Sequence, residues 1–369
     1  MTKLNTRLIS LDVLRGLTIC FMIIVNNPGS WAHIYPPLRH ATWDGYTPTD
    51  LVFPFFMFIV GSALGIGLKK FKALSRKQAL LKVLRRSFII FGLGFLLNTF
   101  PYFKMDTVRI MGVLQRIAIS YLLASIVLIY LNPKYLIPAI LFVLISYWGI
   151  LYLSPGVFPM SLEDNLVRIL DLKLLGEQHL YGGFGIPFDP EGLLSSWPGV
   201  ASIFLGVYIS LGIKSKENIK SKMYYLLLSG GLLMVLAYLW NLVLPFNKPL
   251  WSSSYVLVTT AWASLVWALL IFLIDYKGWK SWVKPFVHYG RNPLFLYVLS
   301  GFYVETILML VKVKNHNNEL VSFYNYMYTD WFVPVLGQLN GSFAFALFQA
   351  FLFWLIAYFL FKRNIIIKV

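Results

Sequence analysis

Apolar runs of roughly 20 residues recur along the whole 369-residue chain, and about 20 residues is what an α-helix needs to cross the hydrocarbon core of a bilayer. Strands of a membrane barrel would instead alternate over about 10 residues. Hydrophobic residues make up 58% of the chain and charged residues only 13%, more apolar surface than a soluble domain can hide. The expected fold is therefore all-α and polytopic, one integral membrane domain over residues 1–369. The runs place ten spans near 10–27, 49–68, 84–100, 108–130, 135–153, 194–213, 223–245, 252–274, 288–311 and 342–361. Phe323 to Leu336 is short, aromatic and interrupted by Pro334. It reads as an interfacial or re-entrant segment.

Ten spans return the chain to the side on which it began. On that side fall 21 bases: Lys3, Arg7, the eight from Lys69 to Arg86, Lys134, the run Lys214 to Lys222, Lys277, Lys280, Lys284, Lys362, Arg363 and Lys368. The other side holds eight, at Arg39, Lys104, Arg109, Arg168, Lys173, Lys248, Lys312 and Lys314. Lysine and arginine accumulate on the cytoplasmic side, so both termini are expected there and residues 154–193 form the longest outer loop. The net charge of +17 is accordingly a topology signal with some attraction to anionic lipid. With no basic, aromatic-interleaved soluble region, it does not point to nucleic acid. The first apolar run is too long, and its charged pair too unusual, for a cleaved signal peptide.

Several chemistries find no support. Cys20 is the only cysteine and sits inside the first span, where a thiol behaves as a small hydrophobe. The five histidines, at 33, 40, 179, 288 and 316, never stand at metal-ligand spacing on a helix, so no metal is expected. No phosphate-binding glycine loop occurs. No internal repeat is visible, which weakens a reading as an inverted-repeat transporter.

The charges within spans carry more information. Asp12 and Arg15 enter the first span three residues apart, on one helix face. Ionisable groups at bilayer depth are costly, usually paired and often functional. Arg116, Arg291 and Glu305 are further intramembrane charges. Most acids, by contrast, map to the outer side, among them Asp44, Asp50, Asp189 and Glu191. The string Gly182-Gly183-Phe184-Gly185-Ile186-Pro187-Phe188-Asp189-Pro190-Glu191-Gly192 reads as a shaped rim built of turn formers. Gly61 and Gly65 have the spacing of close helix packing.

The segment after the first span is the most specific. It runs Val25-Asn26-Asn27-Pro28-Gly29 and then Arg39-His40-Ala41-Thr42-Trp43-Asp44-Gly45-Tyr46-Thr47-Pro48-Thr49-Asp50. It resembles the heparan-α-glucosaminide N-acetyltransferase family of membrane enzymes. Arg109 to Ile117, Asp189 to Ser195, Asn247 to Tyr255 and Gly290-Arg291-Asn292-Pro293 look like family segments in family order, so the resemblance covers nearly the whole chain. It implies transfer of acetyl from cytoplasmic acetyl-CoA to an amine of a glucosamine-type sugar beyond the membrane, with His40 as the active-site histidine. Asp44 stands where the family commonly has asparagine, and the chain opens on its first span without the soluble domain that precedes that span in the animal enzyme. The implied setting is the cytoplasmic membrane of a bacterium.

The chemistry asks for the same residue types. A thioester is already activated, and the acceptor amine must lose a proton to attack. Histidine, with an ordinary pKa of about 6.5, suits that task; it can also carry the acetyl as an acetyl-imidazole. Asn26 ends the first span on the side of His40, where its amide could bond the imidazole or the oxyanion, or merely cap the helix. Asp50 could orient His40 or cap the second span. Arg291, Arg116, Arg15 and Asn292 form the candidate donor-binding set, since guanidinium groups match phosphates. Asp44, Trp43, Asp189 and Glu191 form the candidate acceptor set. Expected partners are the lipid bilayer, an amino-sugar or envelope saccharide, and a second copy of the chain in a homodimer. O-acetylation of an envelope polysaccharide, and secondary transport using Asp50 and Glu305, are the alternatives.

Overall fold

A computed structural model describes residues 8–154 and 158–367. Lys3, Arg7 and Lys368, counted above as marking one side, lie outside the described residues. The chain forms helices α1 (Ile9–Asn26), α2 (Val52–Lys72), α3 (Arg76–Thr99), α4 (Val113–Tyr130) and α5 (Leu136–Leu153). A short α6 (Leu166–Leu175) interrupts the long loop, and α7 (Ser196–Ser215), α8 (Ile219–Asn241) and α9 (Ser253–Leu270) follow. The last part holds α10 (Lys284–Arg291), α11 (Pro293–Glu305), the hairpin β1 (Lys312–Lys314) and β2 (Leu320–Ser322), α12 (Phe323–Tyr326) and α13 (Val333–Lys362). The protein is an all-α integral membrane protein.

Among the described residues, nine helices are long and apolar enough to cross a membrane. The expected span at 84–100 is the one not counted. Its helix, α3, is 24 residues long but carries Arg76, Lys77, Lys82, Arg85 and Arg86 in its first half, which shortens its apolar run; it still joins the two ends of the bundle, with Arg86 at the basic end and Asn98 donating to the Arg109 carbonyl at 2.8 Å at the other. The run expected at 288–311 is broken. Pro293 has no amide hydrogen and restricts the residue before it, so Asn292 (φ −131°, ψ 52°) separates α10 from α11. Phe323 to Leu336 is helical and runs on into α13, with a break at Gly337, whose φ of 73° only glycine adopts readily.

The tightest contacts are made where glycine stands. A Cβ on Gly61 would lie 2.1 Å from the carbonyl oxygen of Ile203, and one on Gly65 would lie 2.0 Å from Ser210 Oγ. The backbones of α2 and α7 therefore touch, as small residues permit. At the opposite side of α1, Gly16 and Gly290 bring α1 against α10 in the same way. Helices α7 and α9 are the most enclosed spans after packing, whereas α8 and α11 present most of their surface outward. Of the two main apolar clusters that result, one runs from Val25 and Trp251 at the His40 end to Leu128 and Ala357 at the basic end, and the other gathers Leu11, Ile213, Trp267 and Ile274 in the basic half.

Candidate active site

His40 lies on the loop between α1 and α2, at the end of the bundle away from the basic clusters. Pro48 fixes a helical turn over Pro48–Leu51 that leads into α2, and Thr47 and Asp50 form its capping box. Asp50 Oδ2 accepts the amide hydrogens of Thr47 and Ala41, each at 3.0 Å. Its other oxygen, Oδ1, is 2.6 Å from His40 Nδ1. The two roles weighed for Asp50 are thus played by one carboxylate, one oxygen for each. Asp50 is buried while the His40 side chain is 43% exposed, so the acid is shielded and the imidazole open.

Lys248, on the loop between α8 and α9, completes the group. Its Nζ lies 3.1 Å from Asp50 Oδ1 and 3.0 Å from His40 Nδ1. An ionised carboxylate has no proton to give, so a 2.6 Å contact calls for a hydrogen on Nδ1. Lys248 then donates to Asp50, and the Nε2 lone pair of His40 is the basic one. The Asp50 carbonyl accepts from the fully buried Tyr255 hydroxyl, which ties this turn to α9.

Trp43 and Asp44 hold the loop in place. Trp43 Nε1 donates to the Met160 carbonyl at 2.7 Å, and its ring meets Phe184 and Phe188 edge to face. Asn247 Nδ2 donates to Asp44 Oδ1 at 3.2 Å, and Gly45 donates its amide hydrogen to Phe246 at 2.6 Å. Loops 39–50, 158–193 and 241–252 are therefore stitched into one surface around His40.

Asp189 and Glu191 are turned inward. Arg109 grips Asp189 through two bonds of 2.8 Å and reaches Glu191 Oε2 at 2.5 Å, and Asp189 is fully buried. These charges raise the proton affinity of Arg109 above its ordinary value although burial works against them. Nearby, burial pushes the Asp171 carboxyl up to about 7, helped by the charge of Asp189 and opposed by an amide hydrogen bond from Leu193 and the charge of Arg116. Arg116 is fully buried at this same end, its guanidinium over the Trp251 ring and bonded to Ser195. Asn26 is exposed and lines a different cavity, with Trp31 and Tyr328; the amide that caps α1 is that of Asn27, donated to Ile23 at 2.6 Å.

The basic end holds three cavities in a row. One of about 510 Å³ is lined by Lys82, Arg85, Arg86 and Asn292. It shares Arg86, Tyr121, Pro293 and Leu294 with a second, of about 310 Å³, which runs between Arg15 and Phe56 along an apolar face of α2. The second shares Arg15 and Ala63 with a third of about 420 Å³, which also holds Asp12, Lys214 and Lys222. Arg15 stays within 3.5 Å of Asp12. Of the candidate donor-binding residues, Arg15 and Asn292 line these cavities. Arg291 packs over the Phe361 ring and donates to Asn364. Arg86 and Lys82 were legible only as part of a basic cluster, and Lys248 only as a member of the Asn247–Tyr255 segment.

Comparison with known proteins bears on this geometry. A family model described as heparan-alpha-glucosaminide N-acetyltransferase, catalytic, matches residues 7–165, the stretch that contains His40, Asp50 and Arg86. The human heparan-alpha-glucosaminide N-acetyltransferase is 27% identical over 81% of this chain and 53% of its own length. The mouse protein of the same name is 26% identical over 94% of this chain and 60% of its own length. The chain thus spans less than two thirds of either relative. Over residues 7–165 this membrane protein is thus similar to the heparan-alpha-glucosaminide N-acetyltransferase catalytic family model, and over most of its length to the two relatives of that name.

Proposed function

We propose that the protein transfers acetyl from acetyl-CoA, bound at the basic end, to the amine of a glucosamine-type sugar at the His40 end. The observation that carries this reading is the His40–Asp50–Lys248 group: an open imidazole whose Nδ1 faces a buried carboxylate. The positive-inside bias favours a cytoplasmic basic end, the side on which acetyl-CoA is available. The donor fits what lines that end. Lys82, Arg85 and Arg86 offer charge-assisted bonds to phosphate, and the apolar cavity between Arg15 and Phe56 suits a narrow acyl-bearing arm. Phe56 is six residues beyond Asp50, across the Pro48–Leu51 turn and into α2, about 9 Å of helical rise.

In the step itself, the amine nitrogen attacks the thioester carbonyl and a C–N bond forms. His40 Nε2 takes the proton that the amine gives up, and Asp50 stabilises the imidazolium through Nδ1–H. Collapse of the tetrahedral species breaks the C–S bond, and the thiolate leaves to be protonated. Lys248 neutralises Asp50 while the imidazole is uncharged, so the buried carboxylate keeps a partner throughout the cycle.

Purified protein in detergent, given acetyl-CoA and glucosamine, should release free thiol and yield N-acetylglucosamine, and His40→Ala should abolish both. Thiol release with an amine-free polysaccharide alone would favour O-acetylation instead, and no release with any acceptor would defeat the reading. Labelled acetyl-CoA without acceptor separates the routes: label retained on His40 marks an acetyl-imidazole, and its absence in active protein marks direct transfer.

A further inference from the structure

One further cavity belongs neither to the His40 group nor to the basic end. It measures about 750 Å³ and opens at the end of α1, on the same end of the bundle as His40. One wall is the segment after α1, where Gly29 lies so close to the Tyr328 ring that a Cβ would meet it at 2.3 Å. That segment is held by backbone and hydroxyl bonds to Ser342 and by the Tyr324 hydroxyl, which donates to the Pro28 carbonyl at 2.7 Å. The facing wall is the β1–β2 turn and α12.

The lining combines two kinds of group. Asn26, Asn317 and Asn325 are exposed amides, each able to donate and accept at once. Trp31, 64% exposed, offers a flat apolar face, while the buried Tyr328 ring packs against Gly29. Amides that match vicinal hydroxyls, beside an aromatic plane that matches the C–H face of a pyranose, form a surface suited to sugar rings. The volume falls within the range of small-ligand sites.

Charge narrows the ligand. No lysine or arginine is among the described lining residues, and neither Lys312 nor Lys314 of the neighbouring strand reaches the lining. The one carboxylate among the described lining residues, Asp330, lies with Oδ1 3.0 Å from His316 Nε2. Such a cavity has nothing to neutralise a run of sulfates, whereas its acid tolerates a cationic amine. One pinned segment of fifteen residues, Asn26 to His40, joins it to the proposed transfer site.

We infer that this cavity is a saccharide subsite that takes the non-reacting sugar units of an unsulfated glucosamine-type oligosaccharide. The inference rests on the reading of His40 as the transfer site for its biological sense, but its binding test does not. Titration calorimetry of the full chain in detergent, without acetyl-CoA, against a β-1,4-linked glucosamine tetrasaccharide should show saturable binding. Trp31→Ala should weaken it by about tenfold or more, while Trp31→Phe, which keeps an aromatic plane, should restore most of the affinity. A sulfated tetrasaccharide should bind at least about tenfold more weakly than the unsulfated one, for want of basic partners. Tetrasaccharide binding indifferent to Trp31→Ala in folded protein, or equal affinity for the sulfated chain, would overturn the subsite. If the tetrasaccharide binds through Trp31 but no acetyl transfer occurs with any amine, the subsite stands and the proposed activity falls. Active transfer with no Trp31-dependent binding gives the reverse.

Discussion

Asp50 reaches His40 across ten residues of sequence, Oδ1 to Nδ1 at 2.6 Å, while its second oxygen closes the turn that starts α2. Because the contact is formed by the loop's own geometry, the imidazole is oriented before any substrate arrives. His40→Ala should therefore lower the transfer rate by roughly 10²–10⁴-fold and leave expression and acetyl-CoA binding near normal. Asp50→Asn is the sharper variant. The single amide oxygen of asparagine can still accept the Thr47 amide hydrogen that closes the turn, so loss of rate with retained folding would mark the charge itself as the functional element. Rates from single-time-point thiol release and melting curves on the same preparations decide this.

Lys248 gives a second test. Its ammonium donates to Asp50 at 3.1 Å, and charge-assisted bonds of this kind contribute roughly 1.5–3 kcal/mol. Lys248→Met should reduce kcat by about 10- to 100-fold on that basis and leave KM for acetyl-CoA unaltered, since the donor is expected at the other end of the bundle. A change confined to donor KM would move Lys248 out of the His40 group.

At the basic end, Arg86 lines two adjoining cavities. Arg86→Ala should raise the KM for acetyl-CoA by about 10- to 100-fold through loss of a phosphate contact. Arg291→Ala provides the comparison, because the Arg291 guanidinium already rests over Phe361. Equal effects of the two variants would mean that Arg291 leaves its ring and joins the donor site.

Asp171 makes stability depend on pH in a defined direction. Burial holds its proton to about 7, well above the ordinary carboxyl value of about 3.9. Its contribution is fully present below that ordinary value and is lost as pH rises through about 7. The wild-type melting temperature should therefore fall between about pH 5 and pH 8, and Asp171→Asn should flatten that slope. A wild-type slope of opposite sign would exclude Asp171 as its source.

Topology can be read directly. Tags at the two termini should be accessible only from the cytoplasm if the 21-to-8 distribution of bases has its usual meaning. Protease protection in oriented vesicles gives the answer, and a terminus on the far side would reverse every loop.

The sequence carried the helices and the His40 loop because both are local. Apolar runs announce themselves within 20 or so residues, and His40 and Asp50 are ten apart. What it concealed are partnerships over long separations. Lys248 meets Asp50 from 198 residues away, so its own segment, though marked by the resemblance, does not reveal the partner. Arg109 meets Asp189 across 80 residues, and without that pairing the two outer acids look available to a sugar. Arg86 was hidden differently: it stands in a cluster of eight bases, where the general topology signal masks the one whose guanidinium lies over the Tyr121 ring. The break at Asn292 was legible in principle from Pro293, but the apolar run on its far side outweighed it.

Helix α2 has Asp50 at its entrance and lines the apolar cavity along its length, yet at Gly61 and Gly65 its backbone rests on that of α7. A helix seated so closely cannot tilt or slide without collision. It works as a fixed rail between the two ends of the protein, and any widening of the path along it falls to the helices on its other flank, α3, α4 and α11. If acetyl passes along this rail as proposed, room for it comes from side chains and those flanking helices giving way, rather than from two halves rocking about a shared site.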